Sequence, residues 1–189
     1  MFTDRVPRDE SLRAEYFTSD RLCDLAVPED DRLRTQASII EAAMESAIPS
    51  AVRKACAEYL FVASDFYGVA QPKVRVLASR PLRVREGGWA TELFGDYHPE
   101  ETLIRVWMRT AVRKQVTSFG TLLSTLCHEF CHHLDMTSLG FSDTPHTRGF
   151  YARAALLYHH SRGTPAKRLI WVPVRDGRWR IDWPRTNRG

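Results

Sequence analysis

Apolar residues recur at helical spacing twice in the first third of the chain. Ile39, Ile40, Ala43, Met44 and Ala47 predict a helix starting near Gln36. Pro49 interrupts that run, suits the first turn of a following helix, and that helix continues to about Tyr67, where Gly68 ends it. Residues 1–34 are charged, broken by Pro7 and Pro28 and only weakly periodic, with short helices expected around 8–16 and 19–26.

The period then changes. Residues 73–78 alternate as a half-buried strand does, and Pro81–Arg85 reads as a second short strand closed by Gly87-Gly88. Trp89–Phe94 and Thr102–Met108 are two further strands, with Gly95-Asp-Tyr-His-Pro-Glu-Glu as the hairpin connection between them. A long helix follows from about Ser118 to Met136, then a loop over 137–145, then a helix from about His146 to His160. The chain closes with an expected hairpin, Arg168–Val174 and Trp179–Trp183, turning at Asp176-Gly177, where Pro173 suits an exposed edge. The order is that of an α+β domain with N-terminal helices, a small, mostly antiparallel sheet, a long helix and a C-terminal hairpin. Three parts are expected: an N-terminal extension over 1–34, the main domain over 35–165, and a basic hairpin over 166–189 packed on that domain.

Composition narrows the class. A hydrophobic share of 43% over 189 residues supports one packed core and argues against disorder. No apolar stretch approaches the roughly 18 residues of a membrane helix, and the acid- and proline-bearing N-terminus lacks the apolar core of a signal peptide. A cytoplasmic location without membrane association is therefore expected. Cys23, Cys56, Cys127 and Cys131 are not expected to form a disulfide framework.

Charge is unevenly spread. Residues 1–60 carry 12 acids and 8 bases, residues 61–145 carry 9 of each, and residues 146–189 carry 10 bases against Asp176 and Asp182. The last part, at a net +8, suits either nucleic acid, an acidic partner or simply a solvated arginine-rich surface.

The candidate chemistry sits on the long helix. At about 100° per residue, His128, His132, Thr121, Thr125 and Asp135 share a polar face. Phe119, Leu123, Leu126, Phe130 and Leu134 form the opposite, greasy one. Two imidazoles one turn apart can reach a single ion, most simply zinc, while Glu129 stands beside them and can reach a water on that ion without ligating it. In such a set the metal acidifies the water and the carboxylate moves its proton.

A third ligand follows from elimination among Asp135, Asp143, His146, His159 and His160, since no glutamate occurs after Glu129. Asp135 is better placed to accept a hydrogen bond from a ligand imidazole. Asp143, in the loop, stays open as a weaker choice, and His159 and His160 are about 20 Å along their helix from His146. His146, at the start of a new helix after a loop that turns the chain back, is the best choice. Cys127, Cys131 and His133 fall off the metal face and read as packed structural residues.

His128-Glu-Phe-Cys-His132, a loop, and His146-Thr-Arg-Gly149-Phe150 resemble the SprT-like zinc metallopeptidases over roughly residues 36–160. The resemblance implies a zincin-like fold, a zinc cofactor held by His128, His132 and His146, Glu129 as catalytic base, and a protein or peptide substrate. The short spacing from His132 to His146, the neighbouring histidine doublets and the basic hairpin in place of a four-cysteine zinc ribbon mark a distinct branch. Some members act near DNA on crosslinked proteins, which the basic C-terminal part suits. The expected activity is that of a zinc-dependent endopeptidase, with Arg148 as a substrate-carboxylate partner or helix-start decoration. Tyr151 is expected to point away from the metal, and the strand Thr102–Met108 to hold an extended peptide at its edge, with Trp107 either lining that cleft or in the core. The alternatives are a nucleic-acid-associated or regulatory protein with a structural metal, and another metal-dependent hydrolase such as an amidase.

Overall fold

The computed structural model describes residues 1–84 and 90–188. Helix α1 (Glu10–Arg21) is capped by Asp9, whose carboxylate accepts from the backbone N–H groups of Ser11 and Leu12. One helix thus replaces the two short ones expected there. Helix α2 (Arg32–Glu45) begins a turn earlier than the apolar pattern indicates. Helix α3 (Pro49–Tyr67) starts with its proline and ends on Gly68, whose φ of 63° is the left-handed cap that glycine adopts without strain. Buried Leu33, Ile40, Tyr59, Leu60, Leu126 and Phe130 join α2, α3 and the long helix α4 (Phe119–Thr137) into one core.

The central sheet has three strands in the order β1 (Lys73–Ser79), β5 (Leu103–Arg109), β4 (Gly95–His98). It is mixed rather than mostly antiparallel, because β1 and β5 run parallel and only β4 opposes β5. Strands β2 (Leu82–Val84) and β3 (Ala90–Glu92) form a separate antiparallel pair. The expected closure at Gly87-Gly88 and the start of a strand at Trp89 lie outside the described residues.

Gly95–His98 is a strand, not the connection its composition suggests. Its pairing with Leu103–Val106 supplies backbone partners that local sequence does not advertise, and the turn shrinks to Pro99–Thr102, closed by Thr102 N–H to Pro99 C=O at 3.1 Å. The middle strand β5 is therefore paired on both sides, and β1 and β4 are the edges. The free edge expected at Thr102–Met108 is therefore not there.

Helix α5 (Arg148–Arg162) follows the loop after α4, and β6 (Trp171–Pro173) and β7 (Trp179–Ile181) pair around Gly177, with α6 (Trp183–Thr186) behind them. The N-terminal residues lie against this hairpin: Phe2 bridges Arg180, and Thr3 N–H donates to Trp179 C=O at 2.9 Å. Helix α1 packs on α5. Close approach there requires Gly149, since a Cβ at this position would stand 2.0 Å from the Ser19 carbonyl oxygen and 2.6 Å from that of Leu22. No helix among the described residues is long and apolar enough to cross a membrane.

Candidate metal centre

Ser118 caps α4 by accepting from the Thr121 N–H. The helix buries Leu122, Leu123, Leu126, Phe130 and Leu134 and turns His128 and His132 toward the start of α5. Their ring centroids are 4.9 Å apart. The connecting loop folds back at Gly140 and again at Thr144, where φ is 35°. That left-handed conformation is costly for a β-branched residue. It sets the Thr144 hydroxyl between His132 and Asp135.

His146 does not open α5. Thr147 caps that helix, its hydroxyl accepting from Phe150 N–H at 3.0 Å, and the helix begins at Arg148. A tight turn before the cap, Thr147 N–H to Pro145 C=O at 2.8 Å, carries the His146 ring to the α4 pair. His128, His132 and His146 form a group of three whose ligand atoms lie within 4.8 Å of one another, and which can hold a metal ion. The Nε2 atoms of His128 and of His132 each stand 3.1 Å from that of His146.

The second ring nitrogens of two of the three are engaged by other side chains. Thr144 Oγ1 donates to Asp135 Oδ2 at 3.2 Å, so it accepts from His132 Nδ1–H at 2.8 Å. His146 Nδ1–H donates to Asp4 Oδ2 at 3.1 Å. Burial, then the neighbouring His146, pushes His128 down to about 3, and burial holds His132 well below the usual imidazole range. In their neutral forms, with Nδ1–H so engaged, His132 and His146 turn their Nε2 lone pairs toward one point, an arrangement a cation satisfies and a hydrogen bond does not. Imidazole nitrogens on a tetrahedral zinc ion are roughly 3.3 Å apart when each bond is about 2.0–2.1 Å. The donor set fits such an ion.

Glu129 is 6% exposed, and among the described residues its carboxylate has no protein hydrogen-bond partner. Burial, then the charge of Asp96, pushes it up to about 8. It packs against the start of β4. A Cβ on Gly95 would lie 2.5 Å from Thr125 Cγ2 and 2.9 Å from Glu129 Oε1, so only glycine lets the edge strand cross here. Trp107 N–H donates to Phe94 C=O, and with the antiparallel register this turns the backbone groups of Gly95 away from β5. A groove of about 790 Å³ runs past Phe94, Gly95, His128, Glu129 and His146 to Tyr158, Leu169 and Trp183.

Other sequence candidates resolve one by one. Asp135 supports His132 through Thr144 rather than by direct contact, and is itself gripped by Arg153 at 2.8 Å. Asp143 donates its backbone N–H to Glu15 and stands apart from the histidine group. His159 bonds Thr164 at the groove's far end, and neither it nor His160 joins the cluster. His133 is structural: its Nε2–H donates to Ala70 C=O and its Nδ1 accepts from Tyr97.

Cys127 and Cys131 are buried free thiols pushed upward by burial, Cys127 to about 12. Arg148 is committed to Asp20 and stacks over Trp179. Trp107 is 8% exposed and sits in the core, outside the groove lining. Tyr151 overturns its expectation. Its ring stacks on His146 at 5.7 Å, it lines the groove, and its hydroxyl donates to Phe2 C=O. The helix starts two residues after His146, so the spacing measured from His146 misjudges the direction of Tyr151.

Asp4, Gly95 and Thr144 were missed by sequence reasoning. Asp4 is an acid among many in a charged segment, and Gly95 reads as a turn glycine, so neither carries a local signal. No family model matches this chain, and no curated protein or solved structure does.

Proposed function

We propose that the chain is a zinc-dependent metallopeptidase, with His128, His132 and His146 as ligands and Glu129 as general base. The observation that carries this reading is the convergence of three imidazole Nε2 atoms, those of His128 and His132 each 3.1 Å from that of His146, beside a buried carboxyl group that opens on a groove. When bound, zinc supplies Lewis acidity, polarising a carbonyl and acidifying water.

The chain's own residues do the rest. An extended peptide adds to the free edge at Gly95, where backbone groups orient it antiparallel or parallel to β4 without reading side chains. Phe94, Leu169 and Trp183 along the groove receive apolar side chains. Glu129 takes the proton of the attacking water as its oxygen bonds to the peptide carbon. The same carboxyl then hands that proton to the leaving nitrogen as the C–N bond breaks.

Glu129→Gln tests this directly: zinc is retained at one per chain while peptide hydrolysis falls by about a hundredfold or more. Full zinc loading with unchanged hydrolysis in that variant would sink the mechanism.

A second reading, a nucleic-acid-associated protein with a structural metal, is favoured by the basic C-terminal part, because Lys167, Leu169, Ile181 and Trp183 wall the groove. It predicts DNA binding that weakens steeply with salt and vanishes when the arginines after Arg162 are neutralised. Binding indifferent to both changes defeats it.

A further inference from the structure

His146 differs from its two partners in having no helix of its own to hold it. His128 and His132 stand on α4, whereas His146 is the middle residue of the turn before the Thr147 cap. Its orientation is set from far away in sequence. Asp4 Oδ2 accepts both the backbone N–H of His146 at 2.8 Å and its Nδ1–H at 3.1 Å, and Asp4 N–H donates to His146 C=O at 2.9 Å.

Asp4 is held in turn. Tyr16 Oη donates to its carbonyl at 3.1 Å, and the preceding Thr3 is buried and bonded twice to Trp179. The His146 ring stacks near-parallel with His128, at 5.0 Å and 23°, and with Tyr151, at 5.7 Å and 22°. A half-turn about Cβ–Cγ would keep the plane of the ring while putting Cδ2 where Nδ1 is and Cε1 where Nε2 is. The contact with Asp4 selects one of the two.

We propose that Asp4 is a positioning residue for the metal, locking the third ligand in the tautomer and rotation that aim a bare Nε2 at the pair on α4. This rests on the reading of the three histidines as a metal clip. The pattern is that of an acceptor behind a ligand imidazole, whose loss generally weakens metal binding by about 10–100-fold. Here the acceptor comes from the start of the chain, so docking of residues 2–4 on the C-terminal hairpin and completion of the metal site are one structural event.

The test compares the full-length chain with Asp4→Ala and Asp4→Asn. Zinc dissociation constants come from competition with a chromogenic chelator, the visible spectrum is recorded with cobalt(II), and melting midpoints are taken without metal. Asp4→Ala is expected to bind zinc about 10–100-fold more weakly. The cobalt band changes shape, and the metal-free midpoint moves by only a few degrees. Asn keeps an acceptor oxygen and loses the charge, so it falls between the two, weaker than wild type by about threefold or more.

Wild-type zinc affinity and cobalt spectrum in both variants would overturn the positioning role while leaving the metal site standing. Failure of the wild-type chain to bind zinc at one per chain would overturn the metal site and, with it, this inference. Should Asp4→Ala not fold, the Asn variant decides alone by the same threshold.

Discussion

The Nδ1–H of His132 ends in a buried chain of Thr144, Asp135 and Arg153, in which the two charged side chains are 0% and 1% exposed. The Nδ1–H of His146 ends on Asp4, whose side chain is 54% exposed. Both supports do the same local task, but their surroundings give them different consequences. Arg153 also donates to the carbonyls of Ser19 and Leu22, so the His132 support ties α1, α4 and α5 together. The Asp4 support reaches the hairpin through Thr3 and α1 through the Tyr16 hydroxyl alone. One is inseparable from the fold, and the other can be loosened while the fold survives.

The largest effect expected from this contrast is on Arg153. Arg153→Met leaves Asp135 charged, buried and unpaired, and should lower stability by about 3–5 kcal/mol in urea unfolding. A loss below about 1 kcal/mol would erase the distinction between the two supports. Next comes removal of the metal. Zinc at a hundred times its dissociation constant should stabilise the chain by about 2.7 kcal/mol, seen as a higher melting midpoint that a chelator reverses. His146→Ala should abolish that gain without destabilising the metal-free protein. A midpoint indifferent to zinc would show that the three imidazoles are not a clip.

Gly95→Ala forces a methyl group against Thr125 and Glu129, at a cost of about 1–3 kcal/mol. It should depress peptide hydrolysis further than zinc binding, because the displaced group is the base rather than a ligand. Equal loss of both would place Gly95 with the ligand supports. Smallest is Thr144→Val, which removes one hydroxyl from the buried chain, with an expected cost of about 1 kcal/mol measured by denaturant titration. If its cost approached that of Arg153→Met, the hydroxyl rather than the ion pair would be the keystone.

Much of this molecule was legible along the chain because it rests on local rules. The two faces of α4, the proline start and glycine stop of α3, and the Asp176-Gly177 turn all follow from periodicity and backbone conformation. So did the grouping of His128, His132 and His146, since two positions one turn apart and a loop that doubles back leave few ways to close a site. The structural roles of His133 and of the α4 cysteines were readable from the same wheel.

What stayed hidden depends on partners distant in sequence. Gly95–His98 has the composition of a turn, and only Leu103–Val106 makes it a strand. The parallel pairing of β1 with β5 leaves no mark in either segment's alternation, because both orientations satisfy a period of two. Asp4 and His146 lie 142 residues apart, and nothing in a charged N-terminal segment distinguishes one aspartate from its neighbours. The sequence by itself determined which side chains share a helix face and which backbone positions must turn, since those are set within a few residues. Tertiary structure decided which carboxylate meets which imidazole and which strand edge lies open beside Glu129, because hydrogen bonding at that range reports proximity in space alone.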